Sequence, residues 1–152
     1  MSKDKVVATV SIESFCHATE DCDKVKHAIL SLVNPEYRKV VDFIEIPLSG
    51  HHKNPIILIR SRIKDKKIAQ KTVEFIFSNL DNIDKKVILD TLDLRTDSSF
   101  NLYLRFNKQQ AYLGKLRLHQ GDDVIKVKIS FLPHIRRKHS FMHVLEILGL
   151  RV

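Results

Sequence analysis

Residues 101–128 read NLYLRFNKQQAYLGKLRLHQGDDVIKVK, and this stretch decides the fold. Phe100, Leu102, Leu104 and Phe106 fall on one side of an alternation, with Asn101, Tyr103 and Arg105 on the other. After a compact loop, Ile125, Val127, Ile129 and Phe131 alternate with Lys126 and Lys128. A period of two marks a strand with one dry and one wet face. The wet faces carry cations and a tyrosine, so the pattern predicts two strands that present Tyr103, Arg105, Lys126 and Lys128 together. The loop between them contributes Lys108, Gln109, Tyr112, Lys115 and Arg117, with Gly114 and Gly121 as hinges.

Working outward, Ile56–Ile63 is a β-branched run in which Arg60 and Arg62 share a face with Ile56 and Leu58. Phe43–Leu48 precedes it as another strand, and the loop between them carries His51, His52 and Lys53. Lys5–Phe15 alternates as a first strand. Thr19 then reads as an N-cap, with Glu20, Asp21 and Asp23 in the first turn, where the helix dipole favours negative charge. Val25, Ala28, Ile29, Leu32 and Val33 recur at helical spacing until Asn34-Pro35. A second helix starts near Asp65, with Ile68, Ala69, Thr72, Val73, Ile76 and Leu80 on one stripe. A short third helix runs to about Asp93, and the TDSS loop that follows is the weakest point of the chain. Ser140 caps a last helix whose inward side is Phe141, Val144, Leu145 and Leu148, with Gly149 past its end. The order β-α-β-β-α-α-β-β-α predicts an α+β fold: a single antiparallel or mixed sheet with helices packed on one face. One domain over residues 1–152 follows from the length.

The net charge is +8, and it is localised. Residues 51–71 hold seven Lys or Arg against one Asp, and residues 100–138 hold nine against two. Residues 1–50 and 72–99 are net acidic. Two basic segments in one chain point to a polyanion partner, nucleic acid before an acidic membrane surface. No apolar run approaches a membrane span, and the first residues do not form a signal peptide, so a cytoplasmic protein without a membrane partner is expected.

The catalytic inventory is poor. Cys16, His17, Cys22 and His27 lack the tight pairing of structural zinc ligands, and read better as a strand end meeting a helix start. His139 and His143 share a helix face, but no glutamate completes an H-E-x-x-H pattern. There is no phosphate-binding glycine loop, and no carboxylate pair stands out. The expectation is therefore a protein with no catalytic residues, no metal and no cofactor. A sheet face with cations and a tyrosine is suited to backbone phosphates and to stacking of a base. The known single-motif RNA readers, such as a GXXG loop, are absent from the sequence.

Three stretches carry a resemblance: HATED at 17–21, GHHKNPIIL at 50–58, and NKQQAYLGKLRL at 107–118 leading into GDDVIKVKI at 121–129. In this order the chain resembles a family of small archaeal RNA-binding proteins described as predicted exosome subunits. The resemblance implies an α+β fold related to double-stranded-RNA-binding domains and to the ribosomal protein that holds five-S RNA. It implies RNA as partner, a link to RNA processing or degradation, and no known catalysis. Asn107 stands where the family more commonly has an acidic residue, and the match loosens after Pro133.

The first expectation is a non-catalytic RNA-binding module. Its site set is His51, His52, Lys53, Arg60, Arg62, Tyr103, Arg105, Lys108, Gln109, Tyr112, Lys115, Arg117, Lys126 and Lys128. Tyr112 fits two roles, a ring for stacking or a core residue that locks the loop. Gln109 fits two as well, a partner for a sugar hydroxyl or a closure of the turn. The alternative is an adaptor that docks its basic face on an acidic protein of an RNA-processing complex. A third, weaker reading is a metal-dependent hydrolase or nuclease using His17 and either Glu20 or Asp21 near His51.

Overall fold

The structure is a computed structural model that describes residues 5–49 and 55–152. Among these residues, five strands make one sheet in the order β2-β3-β1-β5-β4. They are β1 (Val7–Cys16), β2 (Ile44–Ser49), β3 (Pro55–Ile63), β4 (Asn101–Asn107) and β5 (Val124–Phe131), and every neighbour is antiparallel. The fold is α+β, as the element order predicts. The two alternating stretches of the opening sequence pair directly, with Tyr103 opposite Lys128 and Arg105 opposite Lys126. Edge strand β2 carries Pro47 in its middle, opposite Ile57.

One face of the sheet is dry because the helices lie on it. The helix α1 (Cys22–Leu30) buries Val25, Ala28 and Ile29, and α2 (Lys66–Ser78) buries Ala69, Thr72, Val73, Ile76 and Phe77. They meet Val10, Ile12, Leu102, Leu104, Phe106, Ile125, Val127 and Ile129 from the strands in one core. Removing this much apolar surface from water is the main driving force for the fold. Buried Gln70 on α2 accepts the Val6 N–H at 2.7 Å, which satisfies the backbone where β1 begins.

Several boundaries move from their sequence reading. The cap of α1 is Asp21, whose carboxylate accepts the Asp23 N–H at 2.9 Å, and not Thr19. Thr19 lies instead in a turn closed by the Glu20 N–H on the His17 carbonyl. Cys16 and Cys22 are joined in a disulfide, so the strand end and helix start meet through a covalent bond. The third helix splits at Thr91 into α3 (Asn82–Asp90) and α4 (Leu92–Arg95). The Thr91 hydroxyl bonds back to the Val87 carbonyl at 2.6 Å, an arrangement that loosens a helix. A 3₁₀ turn, Pro35–Val40, and the short α6 (Ile135–Lys138) add to the elements that the sequence outlines. The last helix, α7 (Phe141–Ile147), is capped by Ser140 as expected.

The TDSS stretch is well tied. Asp97 accepts from the Ser99 and Asn101 backbone, the Asn101 amide and the Tyr103 hydroxyl, the last at 2.8 Å. These bonds, with the Asn101 amide first, hold its carboxyl down at about 2, against a smaller opposing effect of burial. Next to it Phe100 sits at φ 62°, a costly conformation for a bulky residue. Its ring packs on Phe141 at 4.3 Å and Phe131 at 5.4 Å, contacts that offset the strain.

The segment read as a loop after β4 starts with α5 (Lys108–Tyr112). The Asn107 side chain accepts the Gln110 N–H at 2.9 Å, capping it at the position where the family resemblance places an acid. Gly114 ends it at φ 83°, with Lys115 N–H returning to the Gln110 carbonyl. Gly121, read as a second hinge, adopts no left-handed backbone; its bare Cα leaves room for the His119 ring.

Candidate nucleic-acid interface

The sheet face opposite the helices is open, and strand register sets what it displays. Arg62 of β3, Ser11 of β1, Lys128 of β5 and Tyr103 of β4 form one row. The next row is Arg60, Glu13, Lys126 and Arg105. Four strands at ~4.8 Å spacing make each row about 14 Å long. Between and beside these rows lies a trough of about 730 Å³. Its walls carry six cations, Arg60, Arg62, Lys64, Arg105, Lys126 and Lys128, around a single carboxylate, Glu13. Among the described residues, only Arg60 is paired with that carboxylate, at 3.2 Å. The two basic segments of the sequence therefore converge on one surface.

The aromatic and one of the cations are partly committed. Tyr103 is 41% exposed, its hydroxyl is tied to Asp97, and Lys128 lies over its ring at 6.0 Å. That bond, followed by burial and the Asp97 charge, raises the Tyr103 phenol above its ordinary value. What Tyr103 has to offer is its ring. Arg105 donates to the Gly121 carbonyl at 2.9 Å, and its buried Nε has no hydrogen-bond partner among the described residues.

The residues of the α5 segment are not part of this trough. Lys108 has a side chain only 4% exposed. Its ammonium donates to the Phe15 carbonyl at 2.7 Å, to Glu20 at 3.1 Å and to Asp123 at 2.7 Å. Read from the sequence as a phosphate contact, it is placed as an internal cross-link, because the oxygens of three groups already surround it. Burial pushes Asp123 up, but Lys108, Gln109 and His17 more than offset this and hold its carboxyl below the ordinary range. Arg117 is exposed but paired with Asp81 at 2.6 Å. Tyr112 is placed with the helices: its ring meets His27 edge-on at 5.2 Å, with Lys24 at 5.9 Å. Lys115 is exposed, and Gln109 hydrogen-bonds Asp123. His51, His52 and Lys53 lie outside the described residues.

Other clusters that the sequence raised are accounted for in the same way. His17, Glu20 and Asp123 bring ligand atoms within 4.8 Å of one another. The Lys108 ammonium, bonded to both carboxylates, already supplies the positive charge there. Cys16 and Cys22 are consumed by their disulfide, so they are not thiolate ligands. Asp21 is the helix cap. The rings of His139 and His143 do share a face, 4.5 Å apart.

The sequence reading missed Lys64 and the polar floor of Thr9, Ser11 and Ser130. Lys64 was within reach, since Arg60, Arg62 and Lys64 keep the same parity. Thr9 and Ser11 do alternate with Val10 and Ile12 in the sequence, but which face of β1 stays open depends on where the helices pack.

Residues 9–131 match the family model described as RNA binding. The chain belongs to this RNA-binding family. An RNA-binding protein of Pyrococcus abyssi is 36% identical over 132 residues, covering 86% of each chain. An uncharacterized protein of Methanocaldococcus jannaschii is 34% identical over 128 residues, 81% of this chain and 83% of the relative. Among solved structures, a Sulfolobus solfataricus protein of the DUF54 family superimposes with a TM-score of 0.73 at 30% identity, covering 95% and 99% of the two chains. A DUF54 protein of Archaeglobus fulgidus gives 0.77 at 27% identity, covering 93% and 99%. The span shared with the RNA-binding family contains every residue of the trough and ends before α6 and α7. Among the described residues, no helix is long and apolar enough to cross a membrane.

Proposed function

We propose that this chain is a non-catalytic RNA-binding protein that holds the sugar–phosphate backbone on the open face of its sheet. The observation that carries the reading is the trough with six cations around one carboxylate. Arg60, Arg62, Lys64, Lys126 and Lys128 are the phosphate contacts, Arg105 a pinned contact at the end of its row, and the Tyr103 ring a platform. Lys115 adds a weaker contact outside the trough. Membership of the RNA-binding family and the name of the Pyrococcus abyssi relative support RNA as the polyanion. The cellular side of the proposal is a cytoplasmic role in RNA processing or degradation, which the three resembling stretches support.

The test is RNA affinity measured against salt. Arg62→Glu/Lys128→Glu is expected to weaken binding about a hundredfold and to flatten the slope of log K against log salt by about 1.4, some 0.7 per lost contact. A folded double variant with wild-type affinity and slope overturns the proposal. Recovery of partners from cell extract with and without nuclease separates RNA-bridged association from direct docking on an acidic protein.

A further inference from the structure

The trough does not end at Arg105 and Lys126. These two residues and Glu13 also border a second cavity of about 580 Å³, so the two adjoin. That volume is in the range of small-molecule sites. Its chemistry is different. The floor is Phe15 and Leu58, which pair in register across β1 and β3 and are half-buried on the open face, outside the core. The rim carries Glu20, Asp122 and Asp123, together with His17 and Gln109. Glu20 and Asp123 are held in place by the Lys108 ammonium, and the Cys16–Cys22 disulfide closes the turn that bears His17 and Glu20. Arg105 lines both cavities.

Lys108 is already engaged with Glu20 and Asp123, and Asp122 adds a further carboxylate, so this rim suits a phosphate less well than the trough does, while the apolar floor favours a flat, neutral group. The carboxylates accept hydrogen bonds, so that group should bring N–H donors. An unstacked nucleobase with an exocyclic amine meets all three demands, and a base already paired in a duplex does not. We propose that the Phe15–Leu58 pocket takes one amine-bearing base of a single-stranded RNA whose phosphates lie on the neighbouring trough. The inference rests on the RNA-binding reading above and adds to it the class of RNA. Phosphates and base are divided between two halves of one surface. The trough supplies affinity for any backbone, and the pocket supplies preference.

Cytidine and uridine are alike in size and differ on one edge: cytidine offers an exocyclic amine beside a bare N3, uridine a carbonyl beside an N3–H, so the pair sets the amine against a ring N–H. Fluorescence anisotropy with labelled decacytidylate, decauridylate and a blunt RNA duplex, at one salt concentration, is the experiment. Decacytidylate is expected to bind about tenfold tighter than decauridylate, the scale of one well-placed base contact, and the duplex to bind no better than decauridylate. Phe15→Ala should weaken decacytidylate about tenfold with an unchanged salt slope. Asp122→Asn, an exposed isosteric change, should narrow the preference without touching the slope. Equal binding of the two decamers, tightest binding of the duplex, or a wild-type preference in both variants overturns the pocket and leaves the trough standing. Wild-type binding in folded Arg62→Glu/Lys128→Glu overturns the trough instead, so the two failures are distinguishable.

Discussion

Lys108 and Lys128 come from the same stretch of chain and sit in opposite environments. Lys128 projects from the open face, 6.0 Å from the Tyr103 ring, with solvent around it. Lys108 is enclosed by a carbonyl and two carboxylates from β1, the turn after it and the loop before β5. The first cation is available to a partner. The second holds the protein together, and its charge is already matched. The lesson is that a basic residue in an RNA-binding sequence is a ligand contact only where its neighbours leave it uncompensated.

The largest break in this contrast should come from Lys108→Ala. It leaves Glu20 and Asp123 facing each other without a counter-charge, and about 3 kcal/mol of stability should be lost, less than for a fully buried pair because Asp123 is half exposed. Urea denaturation measures it; a midpoint unchanged from wild type would refute the cross-link. Reducing the Cys16–Cys22 disulfide loosens the turn that carries Glu20 to Lys108. Closing so short a loop contributes about 2 kcal/mol in the chain-entropy account, and denaturation with and without dithiothreitol should differ by that much.

A smaller effect is expected at Asp97, which anchors the Tyr103 side of the trough. Its folded carboxyl titrates at about 2, below its ordinary value of 3.8. A depressed acid stabilises the fold above its unfolded value, and that contribution is lost as pH falls through the folded one. The window is therefore pH 4 to 2. In this exposed setting the contribution is discounted to about 1 kcal/mol. Asp97→Ala should flatten stability across that window, and an acid titration followed by circular dichroism shows whether it does. The smallest effect should be at the open face itself. Lys128→Ala is expected to move stability by less than about 0.5 kcal/mol while weakening RNA binding. Loss of stability comparable with Lys108→Ala would erase the distinction between the two lysines.

What could be read from the chain divides along the same line. The strands and the wet face of Tyr103, Arg105, Lys126 and Lys128 follow from a period of two, which is a local property; the sheet order, with β1 between β3 and β5, does not. The stripe of α2 and the cap of α7 are equally local. Lys108 was misplaced because its partners Phe15, Glu20 and Asp123 come from two other parts of the chain, and no spacing rule joins them. The Phe15–Leu58 floor was hidden for a related reason. Leu58 shares a face with Arg60 and Arg62 in the sequence, but its pairing with Phe15 joins two distant strands, which no spacing rule shows. Tyr112 was left between two roles, and its edge-on contact with His27 depends on how α5 meets α1.

Pro47 has a consequence for self-association. It lies on an edge strand, beside the exposed Ile44 and Leu48, where a greasy border invites a second molecule to extend the sheet. A proline within an edge strand turns its missing N–H away from the paired neighbour, so the free border lacks a donor halfway along. An incoming chain meets a gap in the ladder just where the surface is most adhesive. The protein can leave the broad side of its sheet bare for a partner without its rim seeding aggregates.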